Sequence, residues 1–547
     1  MEKQLLKIVF SLFLVFISNT SFSQQQDYIV GKLLDAKNQE PIAFASIRIK
    51  DRALGIISNI DGSFKIPLKY KEYGDIIEIS SMGYQTQEIL IQDFSIYELN
   101  NVRLQPAILE LEEAIVSARK KRRRKLSSRD IVQKAIDRLF ENYPTKPYSQ
   151  IGYYRDYQKD KQAYVNLNEG ILEVFDQGFK ATDSSTTKVS IYNYQENNDF
   201  RRDTLARMPY DYSFKKGAKI IDNGYLSAYG GNEFTILRVH NAIRNYKIDS
   251  YSFVHRFDTD LLENHTFSRD EDSFIANQAL YKIRFRKNLP RHSAYGALYI
   301  SKDDYAIYKM EYAVYDDAKK NEAGVEDKNG SKKQLVFETN TSYRKTGDKM
   351  YLSYISFYNL FKLWEPPKLK LEYVDFRFDK TVYYKMKDLR MKKRWIVLTF
   401  NEILNASHVD DIDKFNLSYK GKKIALKGLL LSDKQVILYP KANTEKQIQL
   451  LEEIELVAKR NGLSEEILKI KLSDLKDTKG NYIDEWTNKD YHQFREFFVQ
   501  QIKPENNSPV NTRFMDMRKP IFDNIPILKP DNFDDYWMNT PLQNIKN

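Results

Sequence analysis

Four runs between Tyr28 and Leu104 alternate apolar and polar residues with a period near two: YIVGKLLDA, EPIAFASIRIK, GIISNIDGSFKIPL and IIEISSMGYQTQEILI. That period puts apolar side chains on one face of each strand and polar ones on the other. Asp61-Gly62 and Met82-Gly83 supply turn chemistry within these runs, with Asp61-Gly62 read as a hairpin turn. Residues 27–105 are therefore predicted to form a small antiparallel β-sandwich.

The pattern then changes. Ser128 or Asp130 can cap a helix over Ile131–Asn142, with Ile131, Ala135, Ile136, Leu139 and Phe140 on one face and Pro144 as its stop. From Ser149 to about Asp388 alternating aromatic and polar residues return, as in ALYKIRFRK and KMYLSYISFYNLFKLW. Tyr295 to Tyr315 reads as two strands joined at Lys302-Asp303-Asp304. A long meander must curl or be covered, because flat sheets leave open edges. Residues 131–390 are thus expected to form a curved antiparallel sheet with a helix. Its concave apolar face would be filled by that helix, by the tail or by an apolar ligand, with the helix as the favoured occupant.

A third set of strands begins near Trp395 with RWIVLTFNEILN and runs through FNLSYKGKKIAL, KQVILYP and KLSDLKDTKGNYID. A charged helix at about Glu445–Arg460 and a short one at Ser464–Lys471 interrupt it. Residues 391–500 are expected to be a second β-sandwich with a helical insert. The Pro- and Asn-rich tail, 501–547, is expected to wrap over another domain. The fold class is mainly β with some α.

Met1-Glu2-Lys3 and Lys7 precede the apolar run Ile8 to Ile17, which ends at Ser21-Phe22-Ser23. A charged start, a short apolar core and a small-x-small site make residues 1–23 a predicted signal peptide. The chain is then expected to be exported and periplasmic or outer-membrane associated. Cysteine is absent, which removes disulfides and thiolate chemistry.

The net charge is +11, and much of the excess sits in Arg119, Lys120, Lys121, Arg122, Arg123, Arg124 and Lys125. This run, in residues 106–130, reads as a solvated basic linker. Contact with an anionic membrane surface is the second reading and a processing site the third. Nucleic acid is not favoured as a partner, because no recognised nucleic-acid fold accompanies the charge.

The first sandwich resembles the carboxypeptidase regulatory-like domain, a transthyretin-like fold. The matching elements, in order, are Gly31, Glu40-Pro41, Asn59-Ile60-Asp61-Gly62-Ser63-Phe64 and Ser81-Met82-Gly83-Tyr84. The same domain precedes the plug of SusC-type TonB-dependent receptors of Bacteroidota, where the following segment is similar to ELEEAIVSA here. The resemblance implies an accessory domain with no peptidase activity. GALYISKDDYAIYKMEY and YRKTGDKMYLSYI resemble the curved open sheet of outer-membrane lipoprotein-carrier proteins. VLTFNEILN and DLKDTKGN resemble the ends of a bacterial Ig-like domain.

Candidate chemistry is sparse. None of the six histidines, His240, His255, His265, His292, His408 and His492, stands in a His-x-x-Glu or His-Glu-x-x-His motif. The nearest spacings are His255 with Asp258 and His408 with Asp411. An acidic loop, Arg269-Asp270-Glu271-Asp272, follows His265, and solvation is its leading reading. There is no Gly-x-Ser-x-Gly elbow and no phosphate-binding Gly-x-x-x-x-Gly-Lys loop. Asp303-Asp304 and Asp410-Asp411 are carboxylate pairs in predicted turns. Tyr153, Tyr154, Tyr157 and Trp364 could stack on sugars, but alternating strands assign them first to a core. Asp474, Asp477 and Asn481 could hold calcium or cap a turn.

No catalytic, cofactor or metal residues are therefore assigned. The expectation is a non-catalytic envelope binding or scaffolding protein whose partner is an envelope protein, glycan or lipid. Alternatives are a carrier of lipid or another apolar ligand, and an accessory of a TonB-dependent uptake system. A full TonB-dependent receptor is not expected, since the roughly 420 residues after the basic run are too few for a 22-stranded barrel and plug.

Overall fold

The computed structural model describes residues 27–52, 54–107, 126–160, 163–207, 219–220, 230–248, 256–275, 278–321, 326, 330–381, 389–461, 467–510, 512–523 and 526–542. The predicted signal peptide and the basic run Arg119–Lys125 lie outside these residues. The chain divides into two compact units. One takes its described residues from 1–212, 221–361 and 491–547, the other from 213–220 and 362–490.

The first unit begins with β1 (Tyr28–Asp35), β2 (Ser46–Ile49), β3 (Gly55–Ile57), β4 (Ser63–Pro67), β5 (Ile76–Ser80), β6 (Gln87–Leu90) and β7 (Asn100–Leu104). They form two sheets, β4-β1-β7 and β3-β2-β5-β6. Alternate residues Ile29 and Leu33 of β1, and Ile47 and Ile49 of β2, point into one shared core, as the period of two requires. One strand pair departs from an all-antiparallel sandwich, because β1 and β7 are parallel. Asp61-Gly62 does not close a hairpin, since β3 and β4 belong to different sheets. The turn instead hands the chain across the sandwich, with Asp61 accepting from the Ser63 amide at 3.0 Å.

The predicted helix is present as Ser128–Asp137 followed by a turn at Leu139–Asn142. Its cap is Ser127, one residue before the expected position. The Ser127 side chain accepts from the Asp130 amide, and Asp130 accepts from the Ser127 amide, which makes a capping box. Ile131, Ala135, Ile136 and Leu139 are buried as expected, whereas Phe140 is 39% exposed because it follows the break between the two helical pieces.

Next come β8 (Tyr148–Asp160), β9 (Ala163–Asp176), β10 (Lys188–Glu196) and, in the second unit, β11 (Lys219–Ile220). They are followed by β12 (Thr266–Arg269), β13 (Ser273–Ile275), β14 (Gln278–Asn288), β15 (His292–Ser301), β16 (Ile307–Lys320), β17 (Lys333–Thr346) and β18 (Lys349–Glu365). The long sheet they build runs β10-β9-β8-β26-β18-β17-β16-β15-β14-β12, where β26 is Thr487–Pro504. The hairpin β15–β16 turns at Lys302-Asp303-Asp304 as the sequence predicts.

The placement of β26 differs from the sequence reading, which left residues up to 500 with the third region. β26 pairs antiparallel with β8, from His492↔Lys159 to Pro504↔Tyr148. Its alternation is that of any half-buried strand, so local pattern carries no information about a partner more than 300 residues away.

The second unit holds β19 (Leu371–Phe378), β20 (Arg394–Phe400), β21 (Phe415–Tyr419), β22 (Lys422–Lys423), β23 (Leu426–Ser432), β24 (Gln435–Pro440) and β25 (Leu468–Leu472). Two sheets, β19-β20-β24-β23 and β22-β21-β25, share a core with the helix Glu445–Asn461, whose Leu451 and Ile454 enter it. The short helix expected at Ser464–Lys471 is contradicted from Leu468 onward. Leu468–Leu472 is instead a strand, paired with Phe415–Tyr419, because alternation in LKIKL buries Leu468 against the shared core.

Candidate functional site

The sequence points to the faces of the long sheet as the place for a ligand. Burial shows how far each is covered. Nearly every residue of β9 from Val165 to Asp176 is buried, a run that needs both faces covered. β14, by contrast, alternates buried and exposed residues towards its end, so one of its faces is open.

On one face, Ile151, Tyr153, Tyr354 and Phe498 join the core of the N-terminal sandwich, together with Tyr536 and Trp537 of the tail. Arg155 lies among them, fully buried. It donates to Glu496, to Asn59 Oδ1 at 2.6 Å and to the Asn539 carbonyl at 3.4 Å. The guanidinium is thus answered by a carboxylate on β26 and by oxygens of the sandwich and tail, the condition for burying a charge.

The opposite face carries helices. Asn232 caps the helix Glu233–Val239 by accepting from the Thr235 amide at 2.8 Å. This start places Phe234 5.1 Å from the Tyr154 ring and 5.2 Å from the Phe497 ring, both edge-on. His240, at the end of the helix, stacks on Phe357 at 3.6 Å, and its Nδ1 lies 2.6 Å from the Ile236 carbonyl. Arg244 then donates through Nε and Nη2 to the two oxygens of Asp176, at 2.7 and 2.8 Å, while Arg238 pairs with Asp183. Tyr143, after the first helix, stacks on Phe179 and donates to the Ile307 carbonyl at 2.8 Å. The space left among Phe234, Arg238, Arg244, Tyr343 and Phe497 is about 30 Å³. That is about one water molecule's share of the liquid.

Burial governs the electrostatics here. His240 is pushed down to about 4 by desolvation, against the pull of the Ile236 carbonyl. His265, packed against Phe285 and Tyr312, is likewise pushed down to about 4 by burial. Asp156 is pushed up to about 6, first by burial and then by the charge of Glu233. None of these groups faces an open cavity with a nucleophile beside it. Their partners are aromatic rings, backbone carbonyls, the Asn168 amide and tyrosine hydroxyls of the fold.

The remaining sequence candidates separate in space. Tyr153, Tyr154 and Tyr157 are buried, and Trp364 is half-buried in the second unit. Asp303 accepts from Gln278 and Asp304 pairs with Lys345 at 3.0 Å. Asp411 caps the turn Ile412–Lys414. Asp477 accepts from the amides of Lys479 and Asn481 and from the Asn481 side chain, a capped turn. Asp272 is taken up by Arg269 and Lys302. His255 lies outside the described residues. Among the described residues, no three His, Asp or Glu side chains are grouped so as to hold a metal ion.

One surface feature escaped the sequence reading. On the open face of β14 to β17 a groove of about 570 Å³ is lined by Arg284, Arg286, Tyr295, Ala297, Glu311 and Glu338. The alternating Arg284 and Arg286 in RFRK are the local sign of it.

Comparison with known proteins gives the N-terminal domain a family. The CarboxypepD_reg-like domain matches residues 29–116. TonB-dependent receptor SusC of Bacteroides thetaiotaomicron is 35% identical over 75 residues, 14% of this chain and 7% of the receptor. A LolA superfamily protein from Nitrosomonas europaea is similar at 9% identity, over 43% of this chain and 86% of that one, with a TM-score of 0.20. An outer membrane lipoprotein-sorting protein domain from Vibrio parahaemolyticus is similar at 13% identity, over the same shares of the two chains, with a TM-score of 0.22. A DUF1329 family protein from Desulfovibrio piger reaches 7% identity, 42% and 84% coverage and a TM-score of 0.19.

Proposed function

We propose that this chain, whose N-terminal domain is CarboxypepD_reg-like and related to that of SusC, is an exported, non-catalytic binding or scaffolding protein of the cell envelope. The observation that carries the reading is the self-covered middle of the long sheet. The sandwich and tail pack on one face, where a larger cavity remains, and helices occupy the other face down to about 30 Å³. An acyl chain needs many times that volume, so the helical face favours a rigid scaffold over a lipid carrier. The buried titratable groups are spent on packing and ion pairs, which supports a non-catalytic role.

Export rests on residues 1–23, and cell fractionation with N-terminal sequencing tests it. The expected product starts at Gln24 and sits in the periplasmic or outer-membrane fraction. A cytosolic chain retaining Met1 contradicts the proposal. The basic run Arg119–Lys125 reads first as a solvated linker, and contact with an anionic membrane surface is the second reading, which vesicle binding separates from it. On the membrane reading, binding to anionic vesicles should weaken between low and physiological salt and be lost when the run is changed to Gln. Equal binding by both forms leaves the run as a linker.

A further inference from the structure

Between the N-terminal sandwich and the long sheet, both in the first unit, lies a second cavity of about 610 Å³. Its size falls in the range of about 300–1,000 Å³ typical of small-molecule sites. Strand alternation explains what lines it. On β2 and β5 the residues pointing away from the sandwich core are Ser46, Arg48, Glu78 and Ser80, with Arg48 opposite Glu78 across the pair. On β17 the same parity presents Asn340, Ser342 and Arg344 to the cavity. Phe44, Met82 and Tyr308 form apolar walls.

The charges in this cavity do not cancel. Lys309 is neutralised by Glu311 at 2.6 Å and Lys345 by Asp304 at 3.0 Å. Arg344 has no carboxylate or hydrogen-bond partner among the described residues, and its Nε is enclosed and unsatisfied. Burial, reinforced by the charge of Arg48, pushes its guanidinium down to about 9, so it stays protonated at neutral pH. Glu78 is the one carboxylate among the residues lining the cavity, and it faces Arg48. A half-buried guanidinium whose Nε is enclosed and unsatisfied is costly without a counter-charge. The groups that match its planar fork are oxyanions, which accept two parallel hydrogen bonds.

We propose that this cavity binds a small ligand bearing a carboxylate or phosphate, held by Arg344 with help from Arg48, its apolar body against Phe44, Met82 and Tyr308. The site deepens the binding role proposed above by naming the ligand class, and its test is independent of where the protein is located. The chain from Gln24 onward is titrated calorimetrically with phenyl phosphate, inorganic phosphate and the neutral phenyl glucoside.

Phenyl phosphate should bind at one site per chain and at least tenfold more tightly than phenyl glucoside. Arg344→Gln should weaken it at least tenfold, while Arg284→Gln, in the open groove, should leave it unchanged. Glu78→Gln should tighten binding severalfold by removing the cavity's own carboxylate, and it decides the matter if Arg344→Gln fails to fold. Inorganic phosphate binding as tightly as phenyl phosphate supports the oxyanion site and identifies free phosphate, not a headgroup on a larger molecule, as sufficient. Equal binding of the glucoside, no phenyl phosphate binding at millimolar concentration, or unchanged affinity in both cavity variants overturns the proposal.

Discussion

His240 shows at the scale of one residue why the sequence offered histidines but no chemistry. Its ring fills a slot on Phe357, and in the neutral tautomer Nδ1–H donates to the Ile236 carbonyl. Protonation therefore has to be postponed to about pH 4 in the fold, against about 6.5 for a free imidazole. A group whose folded pKa is lowered stabilises fully above its unfolded value, and that stability is lost as pH falls from 6.5 towards 4. His265 acts in the same window and the same direction. Asp156, raised to about 6, opposes them, because its contribution is lost as pH rises through 4 to 6. His240→Phe should therefore make the loss of stability between pH 6.5 and 4.5 shallower, by up to about 3 kcal/mol. Urea midpoints at the two pH values measure it, and an unchanged pH slope contradicts the buried neutral ring. The six histidines were legible as non-motif residues. The burial of His240 was not, because it comes from a helix at Glu233–Val239 inside a stretch whose alternation reads as strand.

Close approach of backbones decides the strand pairings that local pattern left open. β8 reads as a strand in the sequence, yet its neighbour β26 comes from the far end of the chain. Gly152 marks the junction: a Cβ there would lie 2.5 Å from the Phe498 carbonyl and 2.8 Å from the Phe497 ring. A backbone oxygen cannot step aside, so Gly152→Val should destabilise the first unit by about 3 kcal/mol, at the upper end for overpacking. Gly83 tests a different cause. Its φ is +83° and nothing lies within 4 Å of the Cβ position, so Gly83→Val should cost about 1–2 kcal/mol through backbone strain alone. Denaturant melts that rank the two the other way contradict the assigned pairing. The sandwich strands, the helix at Ser128 and the β15–β16 hairpin were legible because caps, turns and periodicity are local. The exchange of β3 and β4 between sheets and the seat of β26 were not, since both depend on which faces meet.

Across the whole first unit, the tail expected to wrap does so through named contacts. Trp537 is buried in the sandwich core, and its Nε1 donates to the Lys65 carbonyl at 2.8 Å. Gln500 on β26 donates to the Trp537 carbonyl at 2.7 Å, and Asn539 Nδ2 donates to the Ile57 carbonyl at 2.9 Å. Sandwich, long sheet and tail thus share one hydrophobic core, which makes them one cooperative body. Trp537→Ala should cost about 3–5 kcal/mol and lower the melting of sandwich and sheet together. Loss of the sandwich transition alone would show that the shared core does not couple them. The helices packed on one face of the long sheet leave about 30 Å³ there, too little for an acyl chain, so that face is closed to lipid. Native mass spectrometry of the chain purified from the envelope fraction tests it most directly. The expected mass is that of the polypeptide from Gln24, alone or with a small anion. A near-stoichiometric acyl lipid that is still bound after Arg344→Gln, and so held outside the cavity beside the sandwich, would contradict the closed helical face and make this protein a carrier.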